Sequence, residues 1–495
     1  MSEGTAPPPP PIVGGPESRI ESWIAGRPTA ADEAFEARSP STGEVIAQVG
    51  RATTDLVDLA VDAAGAAFLE HRRESAFVRA GWCQSAATAI RAHSDFLGRE
   101  LAREHGKPLA EASAEVLSAA DGFDLAAREV LAADGDIPVV RDPNKRVLVR
   151  REPLGVWAVI TPWNFPLNIP VEYLGPALST GNAVVWKPAP TTARVAALFH
   201  RILVDSSDLP GDLLQLVLTD ETKVAQHLVT HPGVVAVGFT GGSATGKAIA
   251  RAAWDKHLLL ELGGNSPVVV LDDAPIEHVA RAVASSAFFN AGQVCSAAGR
   301  ILAPAATAAV LAEAIADHAA ALRLGDPLAD TTTIGPVHLE SGAKRVRSHV
   351  KDAISRGARL LTGGDAVSGH ATRQFFEPTV LADVPVDAVG FEEETFGPVA
   401  AVTSFEDDES LLAAANSGRY GLVGSLFTTR LDRAIDIAER IDVGMVVVND
   451  TSNYWELNLP FGGAPGRDSG RGRLGGKYAL AEFTQAKSIV LDIRA

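Results

Sequence analysis

The sequence predicts an α/β protein built on doubly wound parallel sheets. Short apolar runs alternate with segments long enough for helices, at residues 156–160, 183–186, 214–218, 234–239 and 267–271. A helix-rich stretch of mostly Ala, Leu, Glu and Arg precedes them at 55–131, and a second α/β alternation follows at 276–448. Such alternation is typical of parallel strands joined by crossover helices.

The composition indicates a large, acidic protein with few thiols. At 495 residues the chain exceeds one ordinary hydrophobic core, so two or more domains are expected. Its net charge of −17 argues against nucleic acid or an anionic membrane as a partner. The two cysteines, Cys83 and Cys295, predict a reducing compartment, the cytoplasm. No apolar run is long enough to predict a membrane span.

Three terminal or loop segments have distinctive compositions. Residues 1–16 include five consecutive prolines and no apolar signal-peptide core, so we predict a disordered tail. The glycine-rich segment 461–477 is predicted to be an ordered loop without a helix or strand. Alternating residues at 488–493 predict a last strand.

One thiol and one carboxylate form the candidate catalytic pair. Cys295 follows Gly292 and Gln293, in surroundings less apolar than those of most core cysteines. Glu261 lies 34 residues earlier among leucines, where burial would raise its pKa towards that of a useful base. A thiol and a general base suit covalent catalysis followed by attack of water. The alternatives are a buried packing thiol for Cys295 and a cap or ion-pair partner for Glu261.

Two motifs suit the binding of a nucleotide. Gly241, Gly242 and Gly246 follow a strand and precede a helix, where backbone amides can approach a phosphate. Their spacing departs from the usual dinucleotide fingerprint, and a plain helix-capping turn is the alternative. Lys187 ends a buried strand, where it can bind a ribose or a 2′-phosphate, or simply lie on the surface.

A stiff loop presents an asparagine. Two prolines and two aromatic residues surround Asn164 in the segment 161–166. Its amide N–H suits stabilisation of a developing oxyanion, although a role in a turn is the commonest one for asparagine.

Together and in this order, these blocks resemble the aldehyde dehydrogenase superfamily. The resemblance extends from about Arg38 to the C-terminus and is most specific in the glutamate block 260–267 and the cysteine block 288–299. Supporting matches occur at 162–166, 239–241, 393–398 and 460–463.

The resemblance implies that the protein oxidises a small-molecule aldehyde to the carboxylic acid with NAD or NADP. Cys295 would attack the aldehyde to give a thiohemiacetal, with the Asn164 amide and the Cys295 backbone N–H as the oxyanion hole. Loss of hydride to the nicotinamide leaves a thioester, which water activated by Glu261 would hydrolyse. The implied cofactor-binding residues are Thr161, Pro162, Trp163, Lys187, Pro190, Gly241, Gly242, Gly246, Glu394 and Phe396.

The chain departs from many relatives at two functional positions. Pro190 stands where many NAD-preferring members carry an acidic residue, so the 2′-phosphate of NADP is tolerated and NAD stays possible. Leu474 stands where many relatives carry a glutamate that helps to relay a proton, so Glu261 would have a larger part in transferring the proton of the water.

The resemblance also implies a substrate pocket, lined by Phe165, Ile169, Glu172, Tyr454 and Trp455. Its aromatic residues favour an apolar or aromatic aldehyde. Relatives that oxidise succinate semialdehyde carry an arginine at the position of Glu172, and the opposite charge argues against acid-tailed substrates. Glu172 beside Tyr454 and Trp455 could instead attract a cationic aminoaldehyde. A solvated helix residue is the third interpretation of Glu172, and an aminoaldehyde or semialdehyde dehydrogenase is the alternative function.

The family architecture predicts a cofactor-binding domain at 17–130 and 153–263 and an α/β catalytic domain at 264–466. A small β bridging or oligomerisation element is predicted at 131–152 and 484–495, and its exposed strand edges predict a homodimer or homotetramer. Two other functions conflict with these site residues. Retention of Glu261 argues against an enzyme that transfers the acyl group to CoA, and intact Cys295, Glu261 and Asn164 argue against a non-catalytic structural or binding protein.

Overall fold

The computed structural model describes residues 19–133 and 135–494. The predicted disordered tail at 1–16 lies outside this part of the chain. The described residues form an α/β structure with four sheets, of eight, seven, three and two strands. The α/β prediction is therefore confirmed.

The strands of the described residues are, in chain order, β1 (Arg19–Ile20), β2 (Ser22–Ile24), β3 (Arg27–Thr29), β4 (Ala34–Arg38), β5 (Val45–Gly50), β6 (Lys145–Pro153), β7 (Val156–Ile160), β8 (Ala183–Lys187), β9 (Leu214–Leu216), β10 (Ala236–Thr240), β11 (His257–Glu261), β12 (Ser266–Val270), β13 (Ala298–Pro304), β14 (Arg359–Thr362), β15 (Thr379–Ala382), β16 (Val399–Phe405), β17 (Val423–Phe427), β18 (Met445–Val448), β19 (Gly470–Arg471) and β20 (Thr484–Asp492).

The α-helices are α1 (Thr54–His71), α2 (Ala76–Ala92), α3 (Ser94–His105), α4 (Leu109–Ala132), α5 (Asn168–Thr180), α6 (Ala193–Asp205), α7 (Thr222–Thr230), α8 (Ser243–Ala252), α9 (Ile276–Phe288), α10 (Ala305–Ala320), α11 (Glu340–Ser355), α12 (Val389–Glu392), α13 (Asp408–Asn416), α14 (Leu431–Arg440) and α15 (Gly476–Glu482). No helix of the described chain is both long and apolar enough to cross a membrane.

The eight-stranded sheet has the order β19-β11-β10-β7-β8-β9-β2-β3, with its five central strands parallel. All residues of β7 and β8 are buried, which explains their uninterrupted apolar sequences. The chain runs outward from β7 through β8 and β9, then returns to β10 on the other side of β7. The strand order therefore reverses between β7 and β10, and such a point is where doubly wound sheets bind ligands.

The seven-stranded sheet has the order β14-β15-β16-β13-β12-β17-β18 and is parallel except at β14. Its strand β12 follows β11 of the first sheet after a turn of four residues, at 262–265. The two large sheets are thus joined directly after Glu261. The predicted domain boundaries place this junction at 263 and stay a prediction.

A separate two-stranded sheet pairs β6 with β20, from Lys145 opposite Asp492 to Pro153 opposite Thr484. Apolar side chains on both strands are exposed, among them Leu148, Val490 and Leu491. The last strand was predicted, and it starts four residues earlier than the sequence indicated.

The glycine-rich segment 461–477 is not free of regular structure, and that prediction is wrong. Two of its residues form β19, which pairs antiparallel with β11 through Leu260–Arg471 and Glu261–Gly470. The helix α15 begins at Gly476, within the same segment. Gly470 has a φ of +112°, and a Cβ there would lie 1.9 Å from the carbonyl oxygen of Leu260. A glycine lets the segment approach β11 closely enough to pair.

Candidate active site

A cavity of about 290 Å³ brings the candidate catalytic pair together. Its wall includes Glu261 at the end of β11 and Cys295 in the segment before β13. The remaining lining residues are Glu111, Ala114, Glu115, Ser118, Phe165, Asn168, Ile169, Glu172, Thr240, Leu262, Phe289, Val294, Ser296, Asn453, Trp455, Phe461 and Leu474. Most of this surface is apolar, as in many ligand sites.

Cys295 follows a turn with three consecutive left-handed residues. Asn290 and Ala291 have φ values of 51° and 53°, and Gly292 has a φ of 70°. Left-handed geometry is costly for alanine, and such strain often marks functional sites. A Cβ on Gly292 would lie 2.1 Å from the carbonyl oxygen of Gly397, so no larger residue fits without displacement of the backbone.

Burial raises the pKa of the Cys295 thiol, and the negative charges of Glu394, Glu261 and Glu172 raise it further. The thiol is therefore protonated at neutral pH in the free protein, and its use as a nucleophile requires a base. The other cysteine, Cys83, is buried in α2, where burial raises its pKa to about 12. This agrees with its interpretation as a packing thiol.

Glu261 is 3% exposed, and neither of its carboxylate oxygens has a hydrogen-bond partner among the described residues. Burial raises its pKa well above the usual value, and the charge of Glu172 adds to the effect, whereas Arg473 opposes it. A buried carboxyl without partners is costly to stability, so its presence on a cavity wall indicates a role in chemistry.

Asn164 is buried beside the cysteine segment. Its side-chain Nδ2 donates to the backbone carbonyl of Gln293 at 3.1 Å, two residues before Cys295. The carbonyl of Asn164 accepts hydrogen bonds from Lys107 Nζ at 2.8 Å and from Asn290 Nδ2 at 3.0 Å. The loop asparagine and the cysteine turn are thus bonded to one another, but Asn164 is not among the residues that line the cavity, and its role in an oxyanion hole stays a prediction.

A buried ion pair that sequence reasoning missed supports this loop. Lys107 Nζ lies 2.5 Å from Glu115 Oε2, and both side chains are almost fully buried. Glu115 Oε1 accepts from the backbone N–H of Leu167 at 2.9 Å and of Asn168 at 3.3 Å. A sequence signal existed, because Glu115 is a carboxylate on the apolar face of α4, next to the buried Val116.

The predicted cofactor residues of the first sheet lie at the carboxyl ends of neighbouring strands. Thr161 and Pro162 follow β7, Lys187 ends β8 beside Ile160, and Pro190 begins a short 3₁₀ helix. Lys187 is 9% exposed and donates to the carbonyl of Pro188 at 3.2 Å. Burial lowers its pKa to about 8, and Asp220 opposes this shift. A nearly buried cation at this reversal of strand order suits a ribose or phosphate oxygen.

The three glycines after β10 differ in position. Gly241 and Gly242 precede α8, and Gly242 is its N-cap residue with no side-chain cap. A Cβ on Gly242 would have no atom within 4 Å, so this helix N-terminus is open to a phosphate. Gly246 lies inside the first turns of α8, where a Cβ would lie 2.3 Å from Leu262 Cδ2. Glycine is needed at position 246 because α8 packs closely against Leu262.

The remaining predicted cofactor residues lie between the loop and the second sheet. Trp163 stacks on His338 at 4.7 Å and meets Phe396 edge-on at 5.6 Å. Glu394 Oε1 accepts from the backbone N–H of Gly264 at 3.1 Å, and burial raises its pKa to about 7. A cation, an open helix N-terminus and a carboxylate match the phosphates and ribose hydroxyls of a dinucleotide.

Four of the five predicted substrate residues lie on the cavity wall, and the fifth does not. Phe165, Ile169, Glu172 and Trp455 line the cavity, but Tyr454 does not. Tyr454 is 42% exposed, because its hydroxyl turns to Glu456 in the loop after β18. The interpretation of Glu172 as a solvated helix residue is also wrong. It is on the cavity wall, and burial raises its pKa to about 8, while a hydrogen bond from Asn168 opposes the shift.

Comparison with known proteins agrees with this geometry. Residues 27–489 match the aldehyde dehydrogenase family. A glutarate-semialdehyde dehydrogenase of Pseudomonas putida is 34% identical over 96% of this chain and 98% of its own length. The NADP(+) succinate-semialdehyde dehydrogenase GabD of Escherichia coli is 34% identical over 93% of this chain and 95% of its own. A crystal structure of an NAD-dependent aldehyde dehydrogenase from Sinorhizobium meliloti has a TM-score of 0.93 and 31% identity, over 99% of this chain and 97% of that chain.

The fold, the thiol–carboxylate cavity and these likenesses define an oxidoreductase with a nicotinamide cofactor. The chain belongs to the aldehyde dehydrogenase family. It is an NAD(P)-dependent enzyme that oxidises an aldehyde to a carboxylic acid.

Proposed function

We propose that the protein oxidises apolar or aromatic aldehydes, with Cys295 as nucleophile, Asn164 in the oxyanion hole and Glu261 as general base. The composition of the cavity wall carries this proposal. Phe165, Phe289, Trp455 and Phe461 give it aromatic surface, and no lysine or arginine is among its described lining residues. An aromatic ring that enters such a site buries more apolar surface than a charged tail does, and this burial favours its binding.

The chemistry at Cys295 follows from its surroundings. Transfer of the thiol proton to Glu261, and from there to the solvent, gives a thiolate that attacks the carbonyl carbon, and the resulting oxyanion would accept hydrogen bonds from the Asn164 amide and the Cys295 backbone N–H. The bound NAD or NADP supplies the hydride acceptor. Glu261 then removes a proton from water, the water oxygen attacks the acyl carbon, and the bond to sulfur breaks. Both oxygens of Glu261 lack partners in the described structure, which leaves them free for this water.

The cofactor would be held by the residues at the carboxyl ends of β7, β8 and β10. The open N-terminus of α8 suits the pyrophosphate, Lys187 the adenosine ribose and Glu394 the nicotinamide ribose. Pro190 contributes no carboxylate near Lys187, so the 2′-phosphate of NADP meets no repulsion from position 190, and the acidic group that acts on Lys187 is Asp220. NAD and NADP are both accepted on this proposal.

A cationic aminoaldehyde is the second candidate substrate, and Glu172 favours it. When ionised, Glu172 on the same cavity wall as Trp455 suits an ammonium group. Two relatives are named for succinate or glutarate semialdehyde. For this chain Glu172 and Glu111 on the wall would repel the acid tail of such a substrate when they are ionised, and neither supplies the positive charge that would bind it.

A substrate panel tests the proposal. Benzaldehyde-type, aliphatic, amino and acid-tailed aldehydes are assayed with NAD and with NADP, and kcat/KM is compared. We expect kcat/KM for aromatic or long aliphatic aldehydes to be at least tenfold higher than for the other classes. A preference for succinate semialdehyde would overturn the substrate assignment. The Cys295→Ala variant should lose NAD(P)H formation with every aldehyde and keep cofactor binding measurable by calorimetry.

The homodimer or homotetramer and the cytoplasmic location stay predictions. Exposed Leu148, Val490 and Leu491 on the β6–β20 sheet support assembly of copies of the chain. Light scattering coupled to gel filtration gives the mass, and a monomer would contradict the assembly.

A further inference from the structure

The cavity wall holds a second carboxyl group that the chemistry above does not use. Glu172, on α5, lines the same cavity as Glu261 and Cys295. Its Oε1 accepts a hydrogen bond from Asn168 Nδ2 at 2.9 Å, and Asn168 Oδ1 accepts one from Ser118 Oγ at 2.9 Å. Within the described chain Glu172 Oε2 accepts no hydrogen bond. Asn168 and Ser118 also line the cavity, so these three residues form one polar strip on an apolar wall.

Each catalytic cycle leaves a proton on Glu261. When water attacks the thioester, the carboxylate of Glu261 takes up one of its protons. The carboxyl must lose that proton before the next thioester can be hydrolysed. Glu261 is buried, so the proton needs an acceptor inside the cavity or a chain of water molecules to reach the solvent.

The other charged groups near Glu261 are already engaged. Arg473 Nη1 donates to the carbonyls of Gly463 and Gly472, and a guanidinium accepts no proton. Glu482 Oε1 accepts from the backbone N–H of Arg473 at 3.2 Å, and its Oε2 lies 3.0 Å from His257 Nε2.

The other carboxyl groups of the cavity wall are bonded through one or both of their oxygens. Glu115 pairs with Lys107, and Glu111 Oε2 accepts from the backbone N–H of Asn290 at 3.1 Å. Leu474 presents only an apolar side chain to the cavity. Glu111 Oε1 accepts no hydrogen bond within the described chain either, but Glu172 is the carboxyl whose charge acts most strongly on Glu261.

We propose that Glu172 accepts the proton that Glu261 removes from the hydrolytic water and passes it on to the solvent. The proposal rests on the proposed function. In the transfer, the O–H bond of Glu261 breaks and an O–H bond forms on Glu172, through water in the cavity, without change in net charge. The cavity is large enough to hold such water. Its wall reaches the surface on α4, where Ala114 is exposed and Ser118 partly exposed.

The electrostatics agree with this role. Burial raises the pKa of Glu172 to about 8, so at neutral pH it binds a proton readily and still releases one to water. Burial also raises the pKa of Glu261 well above its usual value, and the charge of Glu172 contributes to that rise. Ionisation of either carboxyl therefore disfavours ionisation of the other, and the two titrate as a coupled pair in which either one can hold the proton. Other titratable groups nearby are Cys295, whose pKa is raised by burial and by the charges of Glu394, Glu261 and Glu172, and Tyr173, whose pKa is raised by burial and by the charges of Glu261 and Glu172.

The test separates acylation from hydrolysis of the thioester. The enzyme reacts once with a limiting amount of the best aldehyde of the panel, is quenched at intervals, and the acyl group on Cys295 is followed by intact mass spectrometry. Glu172→Gln should still form the acyl-enzyme and release one equivalent of NAD(P)H per site. Its acyl-enzyme should decay at least tenfold more slowly than that of the unmodified protein.

Rescue distinguishes a proton acceptor from a structural residue. Small carboxylate or imidazole buffers should speed decay in Glu172→Gln in proportion to their concentration and leave the unmodified protein unaffected. Glu172→Asp should keep most of the decay rate, and Glu172→Gln with Leu474→Glu should regain it from a carboxyl on another part of the wall. Glu439→Gln, on the exposed face of α14, is the matched control for loss of one carboxylate.

Each contrary outcome has a distinct meaning. Decay in Glu172→Gln at the normal rate overturns the proposal and leaves the proposed function intact. If that variant shows only a higher KM for amino aldehydes, Glu172 is a receptor for the ammonium group and the proposal is wrong. Failure of the unmodified protein to form an acyl-enzyme with any aldehyde would refute the proposed function itself.

Discussion

Lys107 Nζ donates a hydrogen bond of 2.8 Å to the backbone carbonyl of Asn164, the residue proposed for the oxyanion hole. The same ammonium group pairs with Glu115, which accepts two backbone N–H groups of residues 167 and 168. One buried ion pair thus fixes the loop on both sides of Phe165. Donors in an oxyanion hole are effective only when their positions are fixed before the reaction.

Replacement of Lys107 by Met should therefore lower kcat by about tenfold to a hundredfold, because a misplaced donor stabilises the oxyanion poorly. It should also destabilise the fold by roughly 3 kcal/mol or more, because Glu115 loses its partner. Steady-state kinetics and urea unfolding measure the two effects. In Lys107→Met with Glu115→Gln, stability should recover in part while kcat stays low. The exposed Lys344→Met is the control.

The left-handed turn before Cys295 predicts that Gly292→Ala is strongly impaired. A Cβ there would lie 2.1 Å from the carbonyl oxygen of Gly397, so the turn must shift and carry Cys295 with it. We expect a loss of at least a hundredfold in kcat/KM. Gly418→Ala is a matched control, because Gly418 has a φ of +82° and open space around its Cβ position. Equal losses in both variants would show that backbone strain alone, and not the clash, is responsible.

Stability should respond to Glu172 in a pH-dependent way. Its pKa is raised from 4.5 to about 8 on folding, so its contribution to stability is fully present below pH 4.5 and is lost as the pH rises through 8. Relative to the unmodified protein, Glu172→Gln should therefore gain stability between pH 5 and pH 8, by at most about 5 kcal/mol. Urea unfolding at the two pH values measures the gain. A difference that is constant with pH would contradict the raised pKa.

The absence of a carboxylate at Pro190 predicts how the cofactor preference can be changed. Pro190→Glu should place a negative charge near Lys187, at the start of the 3₁₀ helix. The ratio of kcat/KM for NAD to that for NADP should rise by about tenfold or more, because the 2′-phosphate is repelled. Pro190→Gln controls for the loss of proline. An unchanged ratio in both variants would show that the 2′ position of the ribose lies elsewhere.

Much of this arrangement was predictable because it depends on local patterns. Buried parallel strands have continuous apolar sequences, so β7 and β8 were found almost to the residue. The places of Cys295 and Glu261 on one cavity wall followed from a resemblance of specific motifs. The open N-cap at Gly242 followed from a glycine between a strand and a helix.

What escaped prediction depends on contacts between distant segments. In the sequence, Lys107 and Glu115 cannot be told apart from exposed charged residues. Their burial depends on contacts with the loop at 164–168, which is distant in sequence. β19 has only two residues, which is too short for a recognisable pattern of apolar residues. It forms because it pairs with the edge of β11. Tyr454 and Trp455 are neighbours in sequence, but only Trp455 faces the cavity, where it meets Phe461 at 4.2 Å.

The pairing of β19 with β11 and of β20 with β6 ties the last residues of the chain to strands made much earlier. During synthesis, the edge of β11 beside Glu261 stays unpaired until residues 470–471 are made, and β6 stays unpaired until residues 484–492 are made. A nascent chain stalled or truncated before these residues would carry two unpaired strand edges that promote aggregation.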